Sequence, residues 1–117
     1  FERYGLLNIF LITPQTSEKR IRYMDSISKG FIYTVSSAST TGSQSGFGKN
    51  QIDYFKRIAD LKLVNPQIIG FGISDHETFS QATQHAKGAI IGSAFIKHVT
   101  KHGVNNLKKF TDIILKK

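Results

Sequence analysis

The stretch Ala89-Ile90-Ile91-Gly92-Ser93-Ala94 decides the fold class, read together with Gly70-Phe71-Gly72-Ile73-Ser74 earlier in the chain. Each is a short apolar run that ends at a glycine, with a hydroxyl residue beyond it where a helix can begin. A glycine there lets a ligand approach the backbone, because it has no Cβ. Unpaired N–H groups at a helix N-terminus can then bind a phosphate. Two such corners predict a barrel that holds a phosphorylated ligand at the C-terminal rim of its strands.

Outward from these corners, apolar strands alternate with helices that have one apolar face. The four predicted strands are residues 6–12, 31–35, 67–71 and 88–91. Thr16 or Ser17 is expected to cap the first helix, and Ser74 is expected to cap the third in a capping box with Glu77. The helix after Ser93 carries Phe95, Ile96 and Val99, and a last helix is expected to turn Val104, Leu107, Phe110 and Ile114 inward. This alternation predicts an α/β fold of parallel strands joined by right-handed crossovers.

The chain is short for such a barrel. Its 117 residues can form one domain with a core, but a complete (β/α)8 barrel needs roughly 250. The sequence also opens at Phe1 within an amphipathic segment. We therefore expect it to be the C-terminal part of a longer protein.

The segment from Ser36 to Gly48 is rich in Ser, Thr and Gly and carries no charge. A connection of this length without periodicity is typical of a functional or a disordered loop. It follows a strand directly, so in a barrel it would lie at the active rim, where its small residues would suit a lid over a substrate. A flexible surface linker is the alternative, and the sequence does not decide between the two.

Groups that could act as a general acid or base are missing from the predicted strand ends. A barrel enzyme that breaks a carbon–carbon bond usually holds carboxylates there. The acidic residues lie on predicted helices, except Asp75, which is interpreted as a first-turn charge behind Ser74. His98 and His102 share a helix face without a carboxylate partner, so a solvent-facing pair is favoured over a metal site. We expect this segment to bind a ligand but to contain no catalytic residue.

The composition of the chain bears on its partners and its location. The net charge of +8 raises nucleic acid as a partner, but the basic residues are scattered over predicted helix faces. The chain has no cysteine, which excludes disulfides and thiolate metal sites and makes a cytoplasmic location the default. No apolar run approaches the roughly 18 residues of a membrane span. We therefore expect neither a nucleic-acid nor a membrane partner.

Four motifs in order along the chain carry a family resemblance. They are Gly30-Phe31-Ile32-Tyr33-Thr34-Val35-Ser36, Thr41-Gly42, Gly70-Phe71-Gly72-Ile73-Ser74 and Gly92-Ser93-Ala94. With this order and spacing the chain closely resembles the tryptophan synthase alpha chain family over essentially all its residues. The resemblance implies that residues 1–117 form the C-terminal half of a single phosphate-binding TIM-barrel domain, roughly strands 5 to 8.

The resemblance also implies an activity, the retro-aldol cleavage of indole-3-glycerol phosphate to indole and glyceraldehyde 3-phosphate. Indole would pass to a beta chain that carries pyridoxal phosphate, in an α2β2 assembly, and this chain would need no cofactor of its own. The implied acid and base lie on the family's second and third strands, which this sequence does not contain. The implied substrate-binding residues are Gly42, Gly72, Gly92 and Ser93 at the phosphate, Phe71 and Ile90 lining the pocket, Tyr33 beside the substrate and Thr41 in a mobile loop.

Two other functions stay open on the residues alone. Another phosphate-sugar barrel enzyme, such as an isomerase or an epimerase, would keep both glycine corners. It would have no reason to combine the Tyr33 strand with the Thr41-Gly42 loop. A basic module that binds nucleic acid would respond to DNA or RNA in a salt-dependent way and would ignore glycerol phosphate.

Overall fold

A parallel sheet is the framework of the molecule. The computed structural model describes residues 2–36 and 46–117. Within them, the sheet has four strands in the order β1-β2-β3-β4, each paired in parallel with the next. The strands are β1 (Phe10–Ile12), β2 (Ile32–Val35), β3 (Gln67–Gly70) and β4 (Gly88–Ile90). The predicted α/β alternation with parallel strands is confirmed.

Helices connect and follow the strands. They are α1 (Glu18–Ile27), α2 (Lys49–Asp60), α3 (His76–Thr83), α4 (Ser93–His102) and α5 (Leu107–Leu115), with short 3-10 turns at Glu2–Tyr4 and Val104–Asn106. Ser17 caps α1, because its hydroxyl accepts a hydrogen bond from the Arg20 N–H. Among the described residues, no helix is both long enough and apolar enough to cross a bilayer.

The two faces of the sheet have different surroundings. Ile12, Ile32 and Ile69 are buried on one face, where α1, α2 and α3 add the rest of the core. That core includes Ile21, Tyr54, Phe55, Ile58, Leu61, Ile73 and Ala82. On the other face, Leu11 is 53 % exposed and Tyr33 is half-buried. Side chains alternate between the faces of a strand, so the face opposite the helices is the open one.

The first strand is shorter than predicted. Leu6 and Leu7 are more than half exposed, and pairing begins only at Phe10. Phe10 is in register with Ile32, the first residue of β2. The residues before Phe10 therefore lie beyond the start of the neighbouring strand, and their apolar character alone does not make them part of the sheet.

The expected cap of the third helix is wrong by one residue. Asp75, not Ser74, is the N-cap of α3: its carboxylate accepts a hydrogen bond from the Thr78 N–H at 2.9 Å. Thr78, not Glu77, completes the capping box, because its hydroxyl accepts from the Asp75 N–H at 3.1 Å. A carboxylate at the N-cap accepts a hydrogen bond from an otherwise unpaired N–H group, and its negative charge interacts favourably with the helix dipole.

The inward positions expected for the last helix are confirmed only in part. Ile114 is buried and Phe110 half-buried, whereas Ile96, Val104 and Leu107 are exposed, and α4 has no buried residue. The helix α4 packs mainly on the Val104–Asn106 turn and α5. Its Phe95 ring meets the Phe110 ring edge-on, with centroids 5.6 Å apart. An apolar stripe in the sequence indicates that one face of a helix packs against something, but it does not identify the element that the face packs against.

A buried carboxylate joins α1 to the start of β3 at the amino end of the sheet. Asp25 accepts hydrogen bonds from the N–H groups of Val64 and Asn65 at 2.8 and 2.9 Å, and from the Asn65 amide. The same amide donates to the Ser28 carbonyl. Burial acts to raise the pKa of Asp25, but the hydrogen bonds from Asn65 and Val64 outweigh it and lower that pKa below its ordinary value of 3.8.

Asp25→Ala is expected to lower the free energy of unfolding of the full-length protein by about 3 kcal/mol at pH 7, because two partly buried N–H groups and the Asn65 amide lose a charged acceptor. Since the pKa of Asp25 is lower in the folded state, its contribution is present above pH 3.8 and is lost as the pH falls through the folded value. Denaturant unfolding at neutral and acidic pH measures both effects. The exposed Asp53→Ala is the control, and an Asp25→Ala effect no larger than the control's would contradict the prediction.

Candidate functional site

The carboxyl ends of three neighbouring strands meet at one edge of the sheet. Val35 is in register with Gly70, and Gly70 with Ile90. The residues that follow these three positions therefore lie side by side. Gly72 and Gly92 each come two residues after a paired position, so the predicted glycine corners are on neighbouring strands.

The Gly92 corner has the geometry of an anion site. Gly92 is the N-cap of α4 and makes no side-chain cap, and its carbonyl accepts the hydrogen bond from the Ile96 N–H at 3.0 Å. The first N–H groups of a helix have no acceptor within it. A Cβ built on Gly92 meets no atom within 4 Å, and both Gly92 and Ser93 are exposed. This helix N-terminus is open to a ligand.

The Gly72 corner differs from it, contrary to the expectation that both corners are alike. The helix α3 begins only at His76, and the Asp75 carboxylate already occupies its N-terminus. A second anion there would be repelled. At this corner the group available to an anion is the backbone of the turn itself. Phe71 and Gly72 both have positive φ angles there, of 71° and 83°.

Two aromatic side chains lie beside this corner. Tyr33 is on the open face of the sheet, and its ring meets the Phe71 ring edge-on with centroids 6.1 Å apart. Phe71 is 42 % exposed. Ile90 ends β4, half-buried, at the position in register with Gly70. Tyr33, Phe71 and Ile90 form an apolar surface next to the open end of α4.

The sequence analysis missed Gly70, on which this surface depends. A Cβ at Gly70 would collide with the ring and hydroxyl of Tyr33. Only glycine lets the tyrosine lie across β3. A glycine at the end of an apolar strand indicates that another group approaches its backbone closely. The sequence of β3 does not show that this group is Tyr33, because Tyr33 lies on β2.

Two expected site residues, Thr41 and Gly42, lie outside the described residues. Among the residues that the structure does describe, the strand ends are followed by Thr13, Ser36, Phe71 and Ile91. None of these side chains transfers protons near neutral pH. The described part of the site is therefore suited to binding.

The histidine pair of α4 lies away from this edge. His98 is half-buried, packs on the Phe110 ring and forms a hydrogen bond with the Asn106 carbonyl at 3.0 Å, so it is less solvent-facing than predicted. His102 is exposed, and partial desolvation and the nearby His98, Lys101 and Lys109 lower its pKa. In the described ranges, no three His, Asp or Glu side chains are grouped closely enough to hold a metal ion.

Comparison with known proteins identifies the family. A family profile described as "Tryptophan synthase alpha chain" matches residues 1–116. The chain belongs to the tryptophan synthase alpha chain family. It is 67 % identical over 110 residues to tryptophan synthase alpha chains of Flavobacterium johnsoniae and Christiangramia forsetii. Those matches cover 94 % of this chain and 44 % and 43 % of the relatives, so the chain spans less than half of their length.

Solved structures support the same assignment. The Pyrococcus furiosus tryptophan synthase a2b2 complex contains a chain that matches with a TM-score of 0.83 at 29 % identity. The isolated alpha subunit of that organism matches with a TM-score of 0.82 at 28 % identity. Each match covers 99 % of this chain and 48 % and 47 % of the other chain, respectively. In those structures the matching strand–helix arrangement is about half of the chain.

Proposed function

We propose that this chain is the part of a tryptophan synthase alpha chain that binds the phosphate and lines the indole pocket during cleavage of indole-3-glycerol phosphate. The products would be indole and glyceraldehyde 3-phosphate. One observation carries the proposal: the open N-terminus of α4 at Gly92 adjoins the apolar surface of Tyr33, Phe71 and Ile90. A ligand with an anionic end and an aromatic end fits that arrangement.

The phosphate would be bound by backbone groups. The N–H groups of Ser93 and its neighbours stand at the positive end of the α4 dipole, and Gly92 leaves room for close approach. The Gly72 backbone would contribute from the end of the adjacent strand, and in the family's pattern Gly42, which follows β2 in the sequence, would contribute as well. No lysine is needed for this mode of binding.

The apolar surface would hold the rest of the substrate. Phe71 and Ile90 would line the pocket for the indole and glycerol parts, and Tyr33 would lie beside the substrate; Thr41, which the family's pattern also gives as a substrate-binding residue, lies outside the described residues. Orientation by an anchored phosphate places the scissile bond at a fixed distance from the rim. Cleavage removes a proton from the C3′ hydroxyl and delivers one to the indole ring, which requires a base and an acid.

We assign that acid and base to strands outside this chain, the second and third of the barrel, with the present strands as the fifth to eighth. The Pyrococcus furiosus chain belongs to an a2b2 complex, which supports a beta-chain partner here, and we propose an α2β2 assembly. Pyridoxal phosphate would belong to that partner. A cytoplasmic location remains an expectation from the sequence.

The test is indole release from indole-3-glycerol phosphate by the full-length protein, with glycerol 3-phosphate as a competitor. We expect turnover and competitive inhibition, because both ligands share the phosphate corner. Aldose–ketose isomerisation or epimerisation of a sugar phosphate without indole release would favour the other barrel enzymes. Salt-dependent binding of RNA or DNA without a response to glycerol 3-phosphate would favour the basic module.

A further inference from the structure

The Phe71-Gly72 corner is held in an unfavourable conformation. A positive φ is uncommon for a residue with a bulky side chain, and such residues persist only where their surroundings fix them. Phe71 has a φ of 71°, and Gly72 follows with 83°. Phe71 is also substantially exposed, so packing of its own ring does not account for the conformation. Something else must hold the backbone.

Ser36 supplies that restraint from the end of β2. It is 1 % exposed, and its hydroxyl donates a hydrogen bond to the Phe71 carbonyl. Its N–H donates to the Gly70 carbonyl at 3.0 Å. Ser36 thus donates hydrogen bonds to the carbonyls of both Gly70 and Phe71, which flank the Cα atom of Phe71. This fixes the direction in which the chain leaves β3.

Phe47 closes the opposite side of the corner. A Cβ built on Gly72 would lie 3.2 Å from Cε1 of Phe47 and 3.7 Å from the Ser36 hydroxyl oxygen. Phe47 is itself fixed, because its N–H donates to Oε1 of Gln81 at 3.0 Å and its ring packs edge-on against Phe55. The Gly72 backbone therefore lies between a hydroxyl and an immobilised ring.

We propose that Ser36 is a positioning residue for ligand binding. Its hydroxyl holds Phe71 and Gly72 in the positive-φ conformation that presents the Gly72 backbone to the phosphate and the Phe71 ring to the pocket, with Phe47 supporting the turn. This inference rests on the proposed function. Ser36 touches no ligand atom in this account and acts through the corner.

Thr34 offers a comparison for the Ser36 hydroxyl. It lies two residues before Ser36 on β2 and is equally buried, at 1 % exposure. Its hydroxyl has no hydrogen-bond partner among the described residues. Thr34→Val is therefore a matched control for Ser36→Ala, because each removes one buried hydroxyl, from β2 and from the residue directly after it, respectively.

The experiment measures glycerol 3-phosphate affinity and steady-state kinetics of the full-length protein. Ser36→Ala is expected to raise Kd about tenfold, the effect of one hydrogen bond. KM should rise with little change in kcat, as expected for lost ground-state binding. Thr34→Val should leave Kd unchanged. Should Ser36→Ala not fold, Ser36→Cys retains a weaker donor and should raise Kd by a smaller factor.

A double-mutant cycle with Phe71→Gly separates positioning from a general structural role. Glycine adopts a positive φ without restraint, so Ser36→Ala should change Kd less than twofold in that background. A tenfold effect in both backgrounds, or wild-type affinity for Ser36→Ala, would overturn the inference while leaving the proposed function intact. If the unaltered protein binds no glycerol 3-phosphate, the proposed function fails and the positioning role fails with it.

Discussion

Gly92→Val in the full-length protein is expected to weaken glycerol 3-phosphate binding at least 100-fold with little loss of stability. The backbone at Gly92 has a φ of −112°, which any residue adopts, and no atom lies within 4 Å of a Cβ placed there. The valine side chain would therefore fit the unliganded fold. It would occupy the space in front of the α4 N–H groups, where we place the phosphate. Calorimetric titration and thermal unfolding measure the two quantities.

Gly72→Val would not separate an effect on phosphate binding from an effect on the conformation of the turn. Gly72 has a positive φ and its Cβ would press on Phe47, so loss of binding would be mixed with strain. Gly92→Ala provides the graded comparison, with a smaller loss than valine. Thr100→Val, an exposed position on the same helix, is the control. An unchanged affinity in Gly92→Val would remove the phosphate from this corner.

The isolated 117-residue segment is expected to show no turnover of indole-3-glycerol phosphate, whereas the full-length protein turns it over. The residues that directly follow the described strands include no acid or base, and general acid–base catalysis contributes about 10²–10⁴-fold. The open face of the sheet, with Leu11 exposed, also leaves the pocket without its opposite side. Indole release is measured for both proteins side by side.

Two control measurements distinguish a folded but inactive segment from an unfolded one. Circular dichroism of the segment reports its helices, and addition of glycerol 3-phosphate tests whether the phosphate corner still binds. Turnover by the pure segment at a rate near that of the full-length protein would contradict the assignment of the acid and base to other strands.

The local features of the fold could be predicted because they depend on neighbours in sequence. The strand–helix alternation follows from periodicity, and capping places the start of α1 just after Thr16 or Ser17, of which Ser17 is the N-cap. Where two capping residues are adjacent, as at Ser74 and Asp75, the choice depends on which side chain reaches the Thr78 N–H. That choice is made by backbone geometry and is not visible in the sequence.

The site was predictable in part. Gly72 and Gly92 looked equivalent in sequence, yet one lies in a turn with positive φ and the other opens a helix. Their difference arises from the length of chain between glycine and helix. Gly70 and Ser36 were missed because their importance comes from Tyr33 and Phe71 on neighbouring strands. Such contacts across strands are set by register, which the sequence of one strand does not specify.

The central claim is that the phosphate of the substrate binds at the ends of β3 and β4. A crystal structure of the full-length protein with glycerol 3-phosphate tests it most directly. We expect phosphate oxygens within hydrogen-bond distance of backbone N–H groups at Gly72, Gly92 and Ser93, with the glycerol directed toward Phe71 and Tyr33. A phosphate bound at any other part of the protein, with the α4 N-terminus left to solvent, would contradict the claim.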